Sequence, residues 1–140
     1  MAVSASLDHV TVVTDDFEAS RKVYDPVLSA VGLSASVEYS DPEVEDGDPG
    51  TVAATGYGLP DRPPVLWLVA GPRPTTGAHV ALAVAGRDGV LAAHAAGAAA
   101  GVRVIQSPRD WEQAQLNYFG AQFADPAGNL IEVTCRHSSD

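Results

Sequence analysis

The chain has one cysteine and only 8 basic residues among 140, and each scarcity excludes something. A lone thiol, Cys135, makes no internal disulfide, so folding needs no oxidising compartment and the cytoplasm is the expected location. With 8 Lys and Arg against 18 Asp and Glu, the net charge is −10. Such a surface repels phosphate backbones and anionic lipid, so neither nucleic acid nor membrane is expected as a partner. The longest apolar stretch, around residues 90–102, is rich in Ala and Gly. It falls short of the roughly 20 residues that cross a bilayer. The segment from Met1 to Leu7 lacks the basic start, apolar centre and cleavage site of a secretory signal. A Gly-rich phosphate loop and a Gly-x-Ser-x-Gly elbow are also missing, which removes two common nucleotide-binding and hydrolase signatures.

What remains is 46% hydrophobic, with 13 Gly and 10 Pro, a composition that folds and buries a core. The length predicts one domain over residues 1–140. Residues 7–13 are rich in β-branched side chains and predict a strand. Thr14, Asp15 and Asp16 then offer oxygens to cap a helix over 17–31, whose apolar positions include Val23, Val27, Leu28 and Val31. Gly32 is placed to close that helix, and Pro26 is expected to break or kink it. Short strands are predicted over 33–39, 51–57 and 65–69. The acidic linker holding Asp41, Glu43, Glu45, Asp46 and Asp48 lacks the terminal Glu of a calcium loop, so a solvated loop is expected.

After a Pro- and Gly-rich linker at 71–77 the order begins again. A strand over 78–84 leads to an Ala-rich helix over 89–100, closed by Gly101, and to strands over 102–105, 118–124 and 129–135. The last two are joined by the turn Asp125-Pro126-Ala127-Gly128. His9 and His79 lie 70 residues apart, each followed by Val, and their distances to Gly32 and Gly101 are 23 and 22 residues. An α+β fold of two β-α-β-β-β modules, 7–70 and 78–136, is the simplest organisation.

Strand alternation puts His9, Thr11 and Val13 on one face and Val10 and Val12 on the other. In the second copy His79, Ala81 and Ala83 oppose Val80, Leu82 and Val84. The aliphatic faces suit the helices, which leaves both His on the other face. Glu132 interrupts an otherwise apolar strand. Two His and one carboxylate form a set suited to Fe, Mn, Ni, Co or Zn with open coordination positions. Tyr118 and Gln122 alternate along the strand expected beside Glu132, and Tyr57 lies near a strand end, so each is a candidate hydrogen-bond donor to a ligand. His94 and His137 are expected to be exposed, and Cys135 to be a packed thiol.

Leu-Asp-His-Val at 7–10, Ala-His-Val-Ala-Leu at 78–82 and Asp-Pro-Ala-Gly-Asn-Leu-Ile-Glu-Val at 125–133 closely resemble the vicinal oxygen chelate superfamily. That superfamily includes glyoxalase I, extradiol dioxygenases and bleomycin-binding proteins. The resemblance spans essentially the whole chain and implies two βαβββ modules whose sheets curl into a cup. It places His9, His79 and Glu132 on three metal-ligand positions and implies a homodimer, with the site shared across the dimer in several relatives. At the fourth ligand position of glyoxalase-like members this chain has Trp67, which cannot ligate a metal. That departure fits a three-ligand site better, and Trp67 offers a surface for a flat or apolar ligand. The resemblance thus implies a divalent-metal lyase, isomerase or dioxygenase acting on a small oxygen-bearing substrate. The alternative it carries is a metal-free binding protein that sequesters a drug or natural product through aromatic residues.

Overall fold

The computed structural model describes residues 3–40, 52–111 and 118–136. Its first half runs β1 (Val10–Thr14), α1 (Phe17–Ser29), β2 (Ser34–Ser40), β3 (Val52–Gly58) and β4 (Leu66–Ala70). The second runs β5 (His79–Ala83), α2 (Arg87–Ala99), β6 (Arg103–Asp110), β7 (Phe119–Ala124) and β8 (Leu130–Cys135). Each half forms a four-stranded sheet of the same order, β1-β4-β3-β2 and β5-β8-β7-β6. In both, the first strand is parallel to the last and the remaining pairings are antiparallel. The fold is α+β, built from two βαβββ modules as the repeat implied.

The repeat extends to the helix ends. After α1, Leu33 N–H donates to Leu28 and Gly32 N–H to Ser29, with Gly32 at φ +88°. After α2, Val102 N–H donates to Gly97 and Gly101 N–H to Ala98, with Gly101 at φ +77°. These are two copies of one glycine-terminated cap, in which the left-handed residue turns the chain so that two orphan carbonyls are paired. At the other end Asp16 caps α1 by accepting from Ala19 N–H at 3.1 Å. Pro26 does not break α1 as expected. It sits in the last turns, where one lost backbone bond is tolerated, and its own carbonyl still accepts from Ala30 N–H at 3.3 Å.

Most boundaries shift by a residue or two from the sequence reading, and three of the differences matter here. β1 starts at Val10, so His9 lies just before the strand and not within it. α2 begins at Arg87, with Gly86 as an N-cap that offers no side-chain oxygen. β6 continues to Asp110 through Pro108, which an edge strand tolerates because it needs no partner for the missing N–H. The acidic linker at 41–50 and His137 lie outside the described residues. His94 is half-buried, not exposed, because α2 is packed on several sides.

Each sheet turns one face to the helices. Val12, Leu66, Leu68 and Tyr57 on the first and Ala121, Phe123, Ile131 and Val133 on the second are buried with Tyr24, Val27, Leu28, Val90 and Ala93 in one core. The helices pack on each other where α2 has Gly97, whose Cβ position would fall 2.9 Å from Phe123 and 3.4 Å from Val27. Among the described residues no strand of one sheet pairs with a strand of the other. The expected cup is therefore not closed within one chain. Each sheet is a separate unclosed curl whose second face is open.

Polar pairs lock this arrangement. Tyr24 Oη donates to Asp125 at 2.8 Å, and Tyr57 Oη to Asp25 at 2.6 Å. Burial, then the bond to the carboxylate, pushes both phenols above their usual range. The unfolded chain ionises its tyrosines above a pH of about 10 while these two stay neutral in the fold. Their contribution to stability is thus complete below that value and lost as pH rises beyond it. Alkaline titration is expected to release these two phenolates together with unfolding, which absorbance and circular dichroism followed in parallel will check. Asp125→Ala strands Tyr24 Oη and the groups of the following turn, at an expected cost of about 3 kcal/mol in urea unfolding. Tyr24→Phe is expected to cost about half as much.

Candidate functional site

Glu132 lies at the middle of β8, and its even-numbered position puts it on the open face of the second sheet, between Ala81 of β5 and Gln122 of β7. An open-face carboxylate would ordinarily be wet, yet Glu132 is 2% exposed. Three side chains close over it. His79 Nε2 lies 2.8 Å from Oε1, Gln122 Nε2 donates to Oε1 at 3.2 Å, and Tyr118 Oη donates to Oε2. A buried carboxylate is costly without such partners, so this trio is what lets it stay there.

Small residues make the closure possible. Gly120 is the next open-face position of β7, and a Cβ there would fall 3.0 Å from Glu132 Oε2 and 3.2 Å from the Val133 carbonyl. The missing side chain leaves Tyr118 room to reach Glu132. Burial and the Glu132 bond raise the Tyr118 phenol above its usual range, against the opposing effects of Thr134 and Arg136. The outcome is an imidazole, a phenol and a carboxamide gathered on one carboxylate, groups able to hold a cation or to exchange protons.

The sequence-derived set is only partly assembled. His79, Glu132, Tyr118 and Gln122 meet. His9 stands apart on the first module, exposed, with Nδ1 2.6 Å from Asp8 Oδ1. Among the described residues no three His, Cys, Asp or Glu side chains converge as a metal site. A single chain therefore supplies two of the three expected donors. Both are ordinary metal ligands, and His79 remains 49% exposed.

Trp67 pairs with Thr11 as Glu132 pairs with Ala81, so the register makes the two positions equivalent in the repeat. Trp67 is on the open face of the first sheet, across from Gly56, and stacks on Tyr39 with ring centres 5.7 Å apart and planes 14° from parallel. Tyr57 is a correction. It pairs with Leu66 on the helix-covered face and is fully buried, so its hydroxyl meets Asp25 and cannot face a ligand. Cys135 is buried on the helix side, as expected of a packed thiol.

Sequence reasoning missed Tyr39 and Arg136, and reached Arg109 only as part of the segment 106–117 expected to border the cup. Arg136 shares the parity of Glu132, and its guanidinium lies 4.8 Å from the Tyr118 ring centre; Arg109 lies 4.0 Å from that of Trp111. Parity would have flagged Arg136. Arg109 could not have been placed this way, because β6 is irregular between Gln106 and Arg109.

Paired βαβββ modules with a polar cluster on an open sheet face define the class of protein. Residues 6–133 match the family model of the Glyoxalase/Bleomycin resistance protein/Dioxygenase superfamily, and the chain belongs to that superfamily. Solved structures agree on the fold. A glyoxalase/bleomycin resistance protein from Albidiferax ferrireducens T118 is 24% identical, with TM-score 0.67 over 93% of this chain and 98% of its own. A glyoxylase/bleomycin resistance protein/dioxygenase domain from Frankia sp. EAN1pec is 14% identical, with TM-score 0.67 over 96% and 100%. An integron cassette protein from the mobile metagenome of the Halifax Harbour sewage outfall is 22% identical, with TM-score 0.65 over 93% and 97%. No curated protein matches. Among the described residues no helix is long and apolar enough to cross a membrane.

Two substitutions test the cluster. Tyr118→Phe removes one of three donors to Glu132 and is expected to lower stability by about 1–2 kcal/mol. Gly120→Ala brings a Cβ to 3.0 Å from Glu132 Oε2 and 3.2 Å from the Val133 carbonyl, closer than ordinary contact, and is expected to cost about as much. Denaturant unfolding reads both. A neutral Gly120→Ala would show that the Glu132 environment is loosely packed.

Proposed function

We propose that this protein is a divalent-metal-dependent enzyme of the lyase, isomerase or dioxygenase kind, acting on a small oxygen-bearing substrate at the open face of the second sheet. The observation that carries this reading is the buried Glu132 with His79 Nε2 on it at 2.8 Å, two metal-type donors in contact on the open face of the second sheet. His9 is the third donor. Since one chain keeps His9 apart from the other two, the reading requires a homodimer in which His9 of the partner subunit meets His79 and Glu132. The strands next to these His, β1 and β5, are both sheet edges; Thr75 takes the edge of β1 at Val13, and the end of β1 beside His9 is the part offered to a second chain.

Iron, manganese, nickel, cobalt or zinc suits such a donor set, and when bound supplies a Lewis acid that favours an anionic form of the substrate oxygens. Tyr118 holds the Glu132 carboxylate through Oε2, and Gln122 shares Oε1 with His79. Trp67, backed by Tyr39, presents an apolar wall to a flat substrate. Cys135, the sole cysteine and buried, is consistent with the cytoplasm as the working compartment.

Complementation tests both parts. His9→Ala and Glu132→Gln homodimers are each expected to hold no metal by elemental analysis. Co-refolded mixtures recover metal, because a heterodimer contains one intact His9, His79 and Glu132 set. Metal retained by a sedimenting monomer would overturn the shared site while keeping the metal. A parent chain that stays empty after dialysis against all five metals would overturn the enzyme reading in favour of a metal-free binding protein.

A further inference from the structure

The open face of the second sheet carries two cations that the proposed metal site does not use. Arg109 of β6 pairs opposite Gly120 of β7, which pairs opposite Thr134 of β8, so Arg109 lies in the row next to Gln122 and Glu132. One row further, Trp111 N–H donates to the Tyr118 carbonyl at 2.8 Å, which makes Trp111 and Tyr118 cross-strand neighbours. Arg136 follows β8 and reaches the Tyr118 ring. The two guanidinium groups thus rest on adjacent aromatic side chains, and the hydroxyl of one of those rings is bonded to Glu132. Gly120 lies beneath the Tyr118–Glu132 contact and adds no side chain of its own to this corner of the face.

The basic residues of this chain fall into different roles. Arg21 bridges Asp25 and Glu38, and Arg87 bridges Asp110. Arg109 and Arg136 make no ion pair among the described residues, and of the cations that make none there they are the two that rest on aromatic rings. Stacking on an aromatic face stabilises a guanidinium while leaving the N–H groups at its rim free to donate. Two such forks on neighbouring rings suit a carboxylate or phosphate group. In a protein of net charge −10, an anion has little other reason to approach this surface.

We infer that Arg109 and Arg136 form an anion subsite beside Glu132, and that the substrate class is an organic acid or phosphate ester. Its charged group lies between the two guanidinium groups, and its remaining oxygens face His79 and Glu132. This rests on the reading of the open face as the substrate site, and its test is independent of metal.

The metal-stripped protein is titrated with benzoate, phenyl phosphate and the neutral benzamide by calorimetry, with the Trp111 indole N–H resonance as local reporter. At least one anion is expected to bind saturably and shift that resonance, with benzamide about tenfold weaker or worse. Which anion prevails distinguishes carboxylate from phosphate. Arg109→Gln and Arg136→Gln are each expected to weaken the anion about tenfold, and Arg103→Gln, at the opposite end of β6, to leave it unchanged. Unaltered thermal melting shows that each variant folds. Equal affinity for benzamide, no saturable anion binding, or an equal loss in Arg103→Gln would overturn the subsite. Metal uptake in the complementation experiment can fail or succeed whatever these titrations give, so the two readings fall separately.

Discussion

The Asp125 carboxylate holds the two modules in register. It accepts from Tyr24 Oη of α1 at 2.8 Å, from the backbone N–H groups of Ala127 and Asn129 at 3.0 and 2.8 Å, and from Asn129 Nδ2 at 2.9 Å. Asn129 passes the constraint on. Its Oδ1 accepts from Ala78 N–H at 3.0 Å, and its Nδ2 donates to the Thr75 carbonyl at 2.8 Å. Thr75 in turn exchanges two bonds with Val13 of β1, both at 2.9 Å. A single turn therefore fixes α1, the linker, the outer edge of β1 and the start of β5. Each bond contributes only about 1 kcal/mol net, but leaving one buried partner unpaired costs as much or more. The network acts as a geometric constraint more than as a source of stability, and the site inherits it. His79 follows Ala78 directly, and Glu132 lies three residues after Asn129.

Layering decides what kind of site this is. The helices occupy one face of each sheet and pack on one another, so the two surfaces left over face away from the shared core. Along β5, exposure alternates residue by residue, with Val80 and Leu82 turned inward and His79, Ala81 and Ala83 outward. Burial at Glu132 does not come from depth in the core. It comes from the local cover of Tyr118, Gln122 and His79, which makes the carboxylate ordered and dry at the surface of a single chain. A second chain laid on that face would deepen a cleft whose polar floor already exists.

Much of this was legible in the sequence because period-two alternation and glycine stops are local signals. Gly32 and Gly101 mark both helix ends, and the parity of residues 79–83 and 130–134 sorts His79 and Glu132 onto one face. Tyr57 failed the same treatment. Its parity relative to Trp67 becomes visible only through the antiparallel register of β3 on β4, which a single strand does not encode. Pro26 failed because a breaker counts by its place in the helix, and the last turns need few further bonds. The separation of His9 from His79 was illegible for a third reason. Equivalent positions in a repeat say that two residues are related by the repeat's symmetry, and nothing about whether that symmetry brings them together.

That last distinction gives the repeat its chemical meaning. Thr11 and Ala81 occupy matching positions, and their register partners are Trp67 and Glu132. The neighbours have diverged to suit. Opposite Trp67 stands Gly56, where a Cβ would fall 3.1 Å from the indole and 2.6 Å from Pro64, so the large ring can settle only on a bare backbone. Opposite Glu132 stands Gln122, whose amide donates to the carboxylate. One sheet presents an aromatic wall, Trp67 with Tyr39 stacked on it, and the other a polar wall that carries the charge. Two identical polar walls would set like charges against each other, and two aromatic walls would have nothing to orient a substrate. On the proposed reading, a cleft made by opposing one wall of each kind would hold the apolar body of a small molecule on one side and its oxygens on the other, and two copies of this chain would provide two such clefts.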